Sequence, residues 1–140
     1  MSHKLLTRIG IVTMIVAIIL MLYTFYMFLW PYRTVEVKVQ PYPILTPIVR
    51  VGELVKFEVD YCKYSNAPMT YQSNFIDSII YLGNTGTAGL PIGCHKVIVS
   101  NPVPNIPEGK FYIEIINNYE VNKLRTITKR FRTDFFEIIP

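Results

Sequence analysis

The chain has 140 residues, of which 51% are hydrophobic and 17% charged, with 14 Lys and Arg against 10 Asp and Glu. One apolar run supplies much of that hydrophobicity. In residues 31–140, twelve cations face ten acids, a surplus of two that is too small to imply nucleic acid as a partner.

That run covers residues 9–30, IGIVTMIVAIILMLYTFYMFLW, and contains no charged residue. As a helix its 22 residues reach about 33 Å, enough to cross a hydrocarbon core of about 30 Å with some tilt. Thr13, Tyr23 and Thr24 are its polar side chains, and none is ionisable near neutral pH, so the span reads as an anchor and not as an ion path. Its far end is rich in aromatics, Tyr23, Phe25, Tyr26, Phe28, Trp30 and Tyr32, as expected where a span meets headgroups, and Pro31 closes it. The lipid bilayer is therefore the expected partner of residues 9–30. A cleavable signal peptide is the alternative, but the run exceeds a signal's usual 7 to 15 residues and its exit is bulky. Residues 1–8, with Lys4 and Arg8, read as a cytoplasmic tail. Residues 31–140 then form one extracytoplasmic domain, in an inner membrane or in a virion membrane.

Both cysteines, Cys62 and Cys94, fall in that domain. An even pair in an exported domain reads as a disulfide, while a cytoplasmic domain would keep both reduced. The inside-positive N-terminus favours export. Closing a loop of about thirty residues stabilises a domain by roughly 3 to 4 kcal/mol in the chain-entropy account. No Asn-x-Ser/Thr acceptor for glycosylation occurs.

In chain order, residues 34–39 alternate Val with Glu and Lys, the period of a half-buried strand. Residues 40–47 hold three prolines and read as a stiff connection or edge segment. Residues 54–61 alternate Val55, Phe57, Val59 and Tyr61 with Lys56, Glu58 and Asp60, the clearest strand signal present. A polar stretch follows, then 75–82, FIDSIIYL, expected as one buried strand. Residues 84–93, with three glycines and a proline, are expected as a loop. Cys94 opens another strand, which ends in the proline cluster at 101–107. A Pro107-Glu108-Gly109 turn leads into a strand over 111–119, then a link at 120–123 and a last strand or strand pair over 124–139. Six or seven short strands with Pro and Gly punctuation predict an all-β, immunoglobulin-like antiparallel β-sandwich, preceded by one N-terminal transmembrane helix.

Catalytic and metal chemistry find little support. A blue-copper site needs two histidines and a cysteine, usually with methionine, and the domain offers only His95 and Met69. Ser65, Ser73, Ser78 and Ser100 sit in no nucleophile motif, and no carboxylate pair stands out as acid and base. The chain is expected to be no enzyme and to hold no cofactor. Its compositional anomaly is residues 123–132, KLRTITKRFR, with Lys123, Arg125, Lys129, Arg130 and Arg132 and no acid. Along a strand Thr126, Thr128, Arg130 and Arg132 share one face, and Arg125, Ile127, Lys129 and Phe131 the other. Charge protecting a strand edge from aggregation is the plain reading. Contact with an acidic partner or anionic headgroups is the functional one.

Three segments carry a resemblance: YCKY at 61–64, GCHKVIVS at 93–100 and PEGKFYIEIINNYEVNKLRTITKRFRTDFFEI at 107–138. Over about residues 50–140 the chain resembles small single-span proteins with an immunoglobulin-like ectodomain encoded in tailed-phage and prophage genomes. Gly109-Lys110-Phe111-Tyr112, and Tyr119 followed by Val121-Asn122-x-Leu124-Arg125, carry it most strongly. The resemblance implies a viral or prophage origin, exposure outside the inner membrane, and a binding or structural role with an envelope or virion protein. It transfers no catalytic residue. A pilin-like or other envelope-assembly subunit, packing through the N-terminal helix, is the alternative; the early glutamate typical of type IV pilins is missing.

Overall fold

The computed structural model describes residues 3–140, with side chains described from Thr7 onward. Met1, Ser2 and the Lys4 side chain of the expected tail thus lie outside the described residues. The chain divides into two units, residues 1–32 with 122–125, and residues 33–121 with 126–140.

The first unit is built on α1 (His3–Leu29). The helix begins well before residue 9, because Leu5, Leu6 and Arg8 are good helix formers and nothing breaks it there. It stops at Leu29, one residue earlier than expected, since a residue preceding proline is pushed out of the α region and Trp30 precedes Pro31. Thr7–Leu29 is long and apolar enough to cross a membrane, and none of it is buried within the protein. Thr13 Oγ1 donates to the Ile9 carbonyl at 2.9 Å and Thr24 Oγ1 to the Leu20 carbonyl at 2.8 Å, so neither hydroxyl needs water.

The second unit is β-sheet. Among the described residues the strands are β1 (Val35–Val37), β2 (Ile48–Arg50), β3 (Leu54–Lys63), β4 (Met69–Ile76), β5 (Ile80–Thr87), β6 (Gly93–Pro102), β7 (Gly109–Asn122), β8 (Arg125–Arg132) and β9 (Phe136–Ile139). One sheet has the order β1-β3-β6, the other β2-β9-β7-β4-β5, with β8 paired to β7 beside β9. Alternation places Val55, Phe57 and Tyr61 of β3 inside, together with Phe75, Phe111, Ile113, Phe131, Phe136 and Ile138 of the second sheet. Both sheets therefore contribute to one core. Most pairs are antiparallel, but β2 and β9 run parallel, a departure from the all-antiparallel expectation. The proline-rich segment 40–47 carries the chain from β1 in one sheet to β2 in the other, and so sets β2 alongside β9.

Two sequence expectations fail between residues 69 and 93. FIDSIIYL is not one strand: Asp77 Oδ1 accepts from the Ile79 amide at 2.6 Å, and this Asx turn splits it into the ends of a β4–β5 hairpin. Residues 84–87 are strand, not loop. The glycines there permit close approach: a Cβ on Gly83 would lie 2.7 Å from the Ser73 carbonyl oxygen, and one on Gly86 would lie 3.1 Å from the Tyr71 ring.

Candidate functional site

Cys62 and Cys94 form a disulfide, at the end of β3 and the start of β6. These strands pair over ten residues with Cys62 directly opposite Cys94, so the bridge joins neighbours within one sheet. It does not pin two sheets, or a sheet and a loop. The return of β6 beside β3 after the β4–β5 hairpin decides this. His95, next to the bridge, donates from Nε2 to the Ile92 carbonyl at 2.9 Å and lies 5.9 Å from the Tyr61 ring. No group of three or more His, Cys, Asp or Glu is placed to hold a metal among the described residues.

The five cations of residues 123–132 separate into distinct settings. In the first unit, Arg125 Nη1 donates to the Trp30 carbonyl at 2.7 Å and its guanidinium lies 6.0 Å from the Tyr32 ring. Asn122 Nδ2 donates to the Met27 carbonyl at 2.9 Å, and Lys123 is exposed at the tip of this turn. In the second unit Lys129 is half-buried and donates from Nζ to the Val35 carbonyl. Arg130 and Arg132 point outward from β8; Arg130 reaches Glu114 at 3.9 Å, and Arg132 has no ion-pair partner among the described residues. Phe131, between them, is buried. Thus Arg125 and Lys129 serve the chain's own backbone, while Arg130 and Arg132 share the face with Thr126 and Thr128. β8 takes β7 as its strand partner, and the C-terminal end of its other edge is taken by Tyr42, whose amide donates to the Arg132 carbonyl at 2.9 Å.

A smaller charged cluster lies at the start of the second unit. Arg33 donates to Glu36 at 2.7 Å and stacks 4.3 Å from the Tyr64 ring, whose hydroxyl donates to Glu36 at 2.9 Å. The Arg33 hydrogen bond, then that of Tyr64, holds the Glu36 carboxyl below its ordinary value.

A feature that sequence reasoning missed lies inside the second unit. Between the two sheets is a pocket of about 210 Å³, partly open to solvent and lined by Phe57, Val59 and Tyr61 of β3, Val97 and Val99 of β6, Ile115 and Asn117 of β7, and Leu90 of the β5–β6 loop, among others. Tyr61 Oη and Asn117 Oδ1 are both buried and have no protein hydrogen-bond partner. Burial raises the Tyr61 phenol above its usual range, so it remains protonated and keeps a donor. The wall comes from separate strands, and no local motif signals it.

No protein-family profile matches the chain, and no curated protein matches its sequence. Solved structures resemble it only distantly. The Pseudomonas fluorescens alkylpurine DNA glycosylase AlkC aligns at 10% identity with a TM-score of 0.41, over 76% of this chain and 30% of its own. The CARDB domain of a Pyrococcus furiosus protein aligns at 17% identity and 0.39, over 76% of this chain and 86% of its own. A Listeria innocua β-glucosidase aligns at 13% identity and 0.39, over 78% of this chain and 16% of its own.

Proposed function

We propose that the chain is a membrane-anchored, extracytoplasmic binding or structural module, of phage or prophage origin and without catalytic activity. Its N-terminus faces the cytoplasm, residues 9–30 hold it in the inner membrane or a virion membrane, and the immunoglobulin-like domain meets an acidic envelope or virion protein. The sheet orders support the sandwich reading: β1-β3-β6 and β9-β7-β4 correspond to the A-B-E and G-F-C strands of that fold. The within-sheet disulfide departs from the inter-sheet bridge found in antibody domains.

The observation that carries the partner assignment is β8. It is an edge strand whose outward face presents Arg130 and Arg132, with one carboxylate at the limit of ion-pair distance. Ahead of Arg132, whose carbonyl is taken by Tyr42, the edge offers backbone groups for pairing, and two outward guanidinium forks suit carboxylates on the incoming chain. The test replaces Arg130 and Arg132 by Gln in the anchored protein, with a photo-crosslinker at Thr128. Loss of the crosslinked species, with Arg125→Gln as the comparison, is the expected result. An unchanged set of crosslinked proteins, with the domain still folded, would mean that β8 is a charge-protected edge only.

A further inference from the structure

We propose that the free edge of β6 takes an added strand, an extended segment of a partner protein that carries aliphatic side chains on one face and lays one of them in the pocket between the sheets. This contact is distinct from the one at β8, because β6 belongs to the other sheet. Among the described residues β6 bonds to β3 along one side and to no strand along the other. β4 and β6 face each other across the pocket; beyond β4 the second sheet continues to β5, whereas beyond β6 the first sheet stops. The sandwich is one strand short at this place.

Burial along β6 records the gap. Val97 and Val99 alternate with exposed Lys96, Ile98 and Ser100 and pack on the core, yet both are only half-buried, as are Ala88 and Leu90 of the β5–β6 loop. A flanking strand would cover them. Natural edge strands are commonly guarded by charge. β6 has a single formal charge, Lys96, and Glu58 of β3 offsets it at 2.8 Å.

The chemistry of the occupant follows. Its backbone supplies N–H and C=O groups to the unpaired side of β6, and its alternate side chains turn toward the pocket. The pocket wall contains no charged side chain, so a charge facing inward would be stripped of water without compensation. Phe57, Val59, Val97, Val99 and Ile115 surround a space of about 210 Å³. An apolar cavity of about 150 Å³ holds benzene, so a leucine or isoleucine side chain fits. The β6 strand of a second copy does not meet this need, because its valines are already turned into its own core.

The experiment titrates the full chain in lipid nanodiscs with the blocked peptide Thr-Val-Thr-Leu-Thr-Val-Thr and, separately, with the same peptide carrying Asp in place of its Leu. NMR reads the methyl resonances of Val97 and Val99 and the exchange rates of the β6 amides. Saturable shifts with slowed β6 exchange are expected for the Leu peptide, with affinity at least about tenfold above that of the Asp peptide. Leu82→Ser, at an exposed position on the β5 edge, should leave this binding unchanged. No saturable shift with the Leu peptide in the millimolar range, or equal affinity for the two peptides, would overturn the proposal on the unaltered protein. Loss of binding in Leu82→Ser would overturn it by placing the peptide on β5. A chain that dimerises in detergent, and loses the dimer when the Leu peptide is added, would overturn it in favour of a second copy as the occupant.

Discussion

Removing the Cys62–Cys94 bridge has a calculable cost. The half-cystines are separated by 32 residues, and freeing a loop of that length in the unfolded chain lowers stability by about 3.7 kcal/mol in the chain-entropy account. The native state offers little to offset this, because β3 and β6 remain paired over ten residues with or without the covalent link. Cys62→Ala with Cys94→Ala in the detergent-solubilised chain should therefore fold to the same sheet structure. At a urea slope of about 2 kcal/mol per M, its unfolding midpoint should fall by about 2 M. Circular dichroism of the strand signal against urea measures this directly. A midpoint within about 0.3 M of the parent, at unchanged slope, would refute the reasoning. It would mean that the bridge constrains an unfolded state already held by other contacts.

Other perturbations test the packing and the charge cluster. Gly83→Ala should destabilise by about 1 to 3 kcal/mol, since its Cβ would press on the Ser73 carbonyl. Gly89→Ala, which meets nothing within 4 Å, should stay within about 0.5 kcal/mol, and urea midpoints compare the two. Phe111→Ala, at a fully buried ring, should cost about 3 to 5 kcal/mol in the same assay. Glu36 should titrate below its ordinary value of 4.5 by NMR and move back towards it in Arg33→Gln. A depressed carboxyl contributes above the unfolded value and loses that contribution as pH falls through the folded value, so the Arg33–Glu36 pair should open only in acid.

Legibility in the sequence followed the strength of each local signal. The helix was plain from an uncharged run, and β3 from strict alternation that the burial of Val55, Phe57 and Tyr61 follows. β4 was hidden because Ser73 and Asn74 are buried polar residues whose partners composition does not show; Ser73 Oγ accepts from the Asn84 amide across the hairpin at 3.0 Å, and Asn74 Oδ1 accepts from Gln72 Nε2 on the same strand at 3.0 Å. β5 was misread because Ile79, Ile80 and Leu82 are exposed although apolar, which made the hairpin look like one buried strand. The split of the basic residues between faces of β8 followed from period two alone. Their partners did not: Arg125 and Lys129 reach carbonyls more than ninety positions away in sequence. The cavity was illegible for the same reason, since β3, β4, β6 and β7 each supply part of its wall.

The most direct test of the central claim is topology. Alkaline phosphatase fused after Pro140, and a reporter active only in the cytoplasm fused at the same site, are compared in a bacterial host. An anchored extracytoplasmic domain predicts an active phosphatase that stays with the membrane fraction and an inactive cytoplasmic reporter. An inactive phosphatase with an active cytoplasmic reporter would contradict the account, and so would an active phosphatase released from the membrane after cleavage of the N-terminal helix.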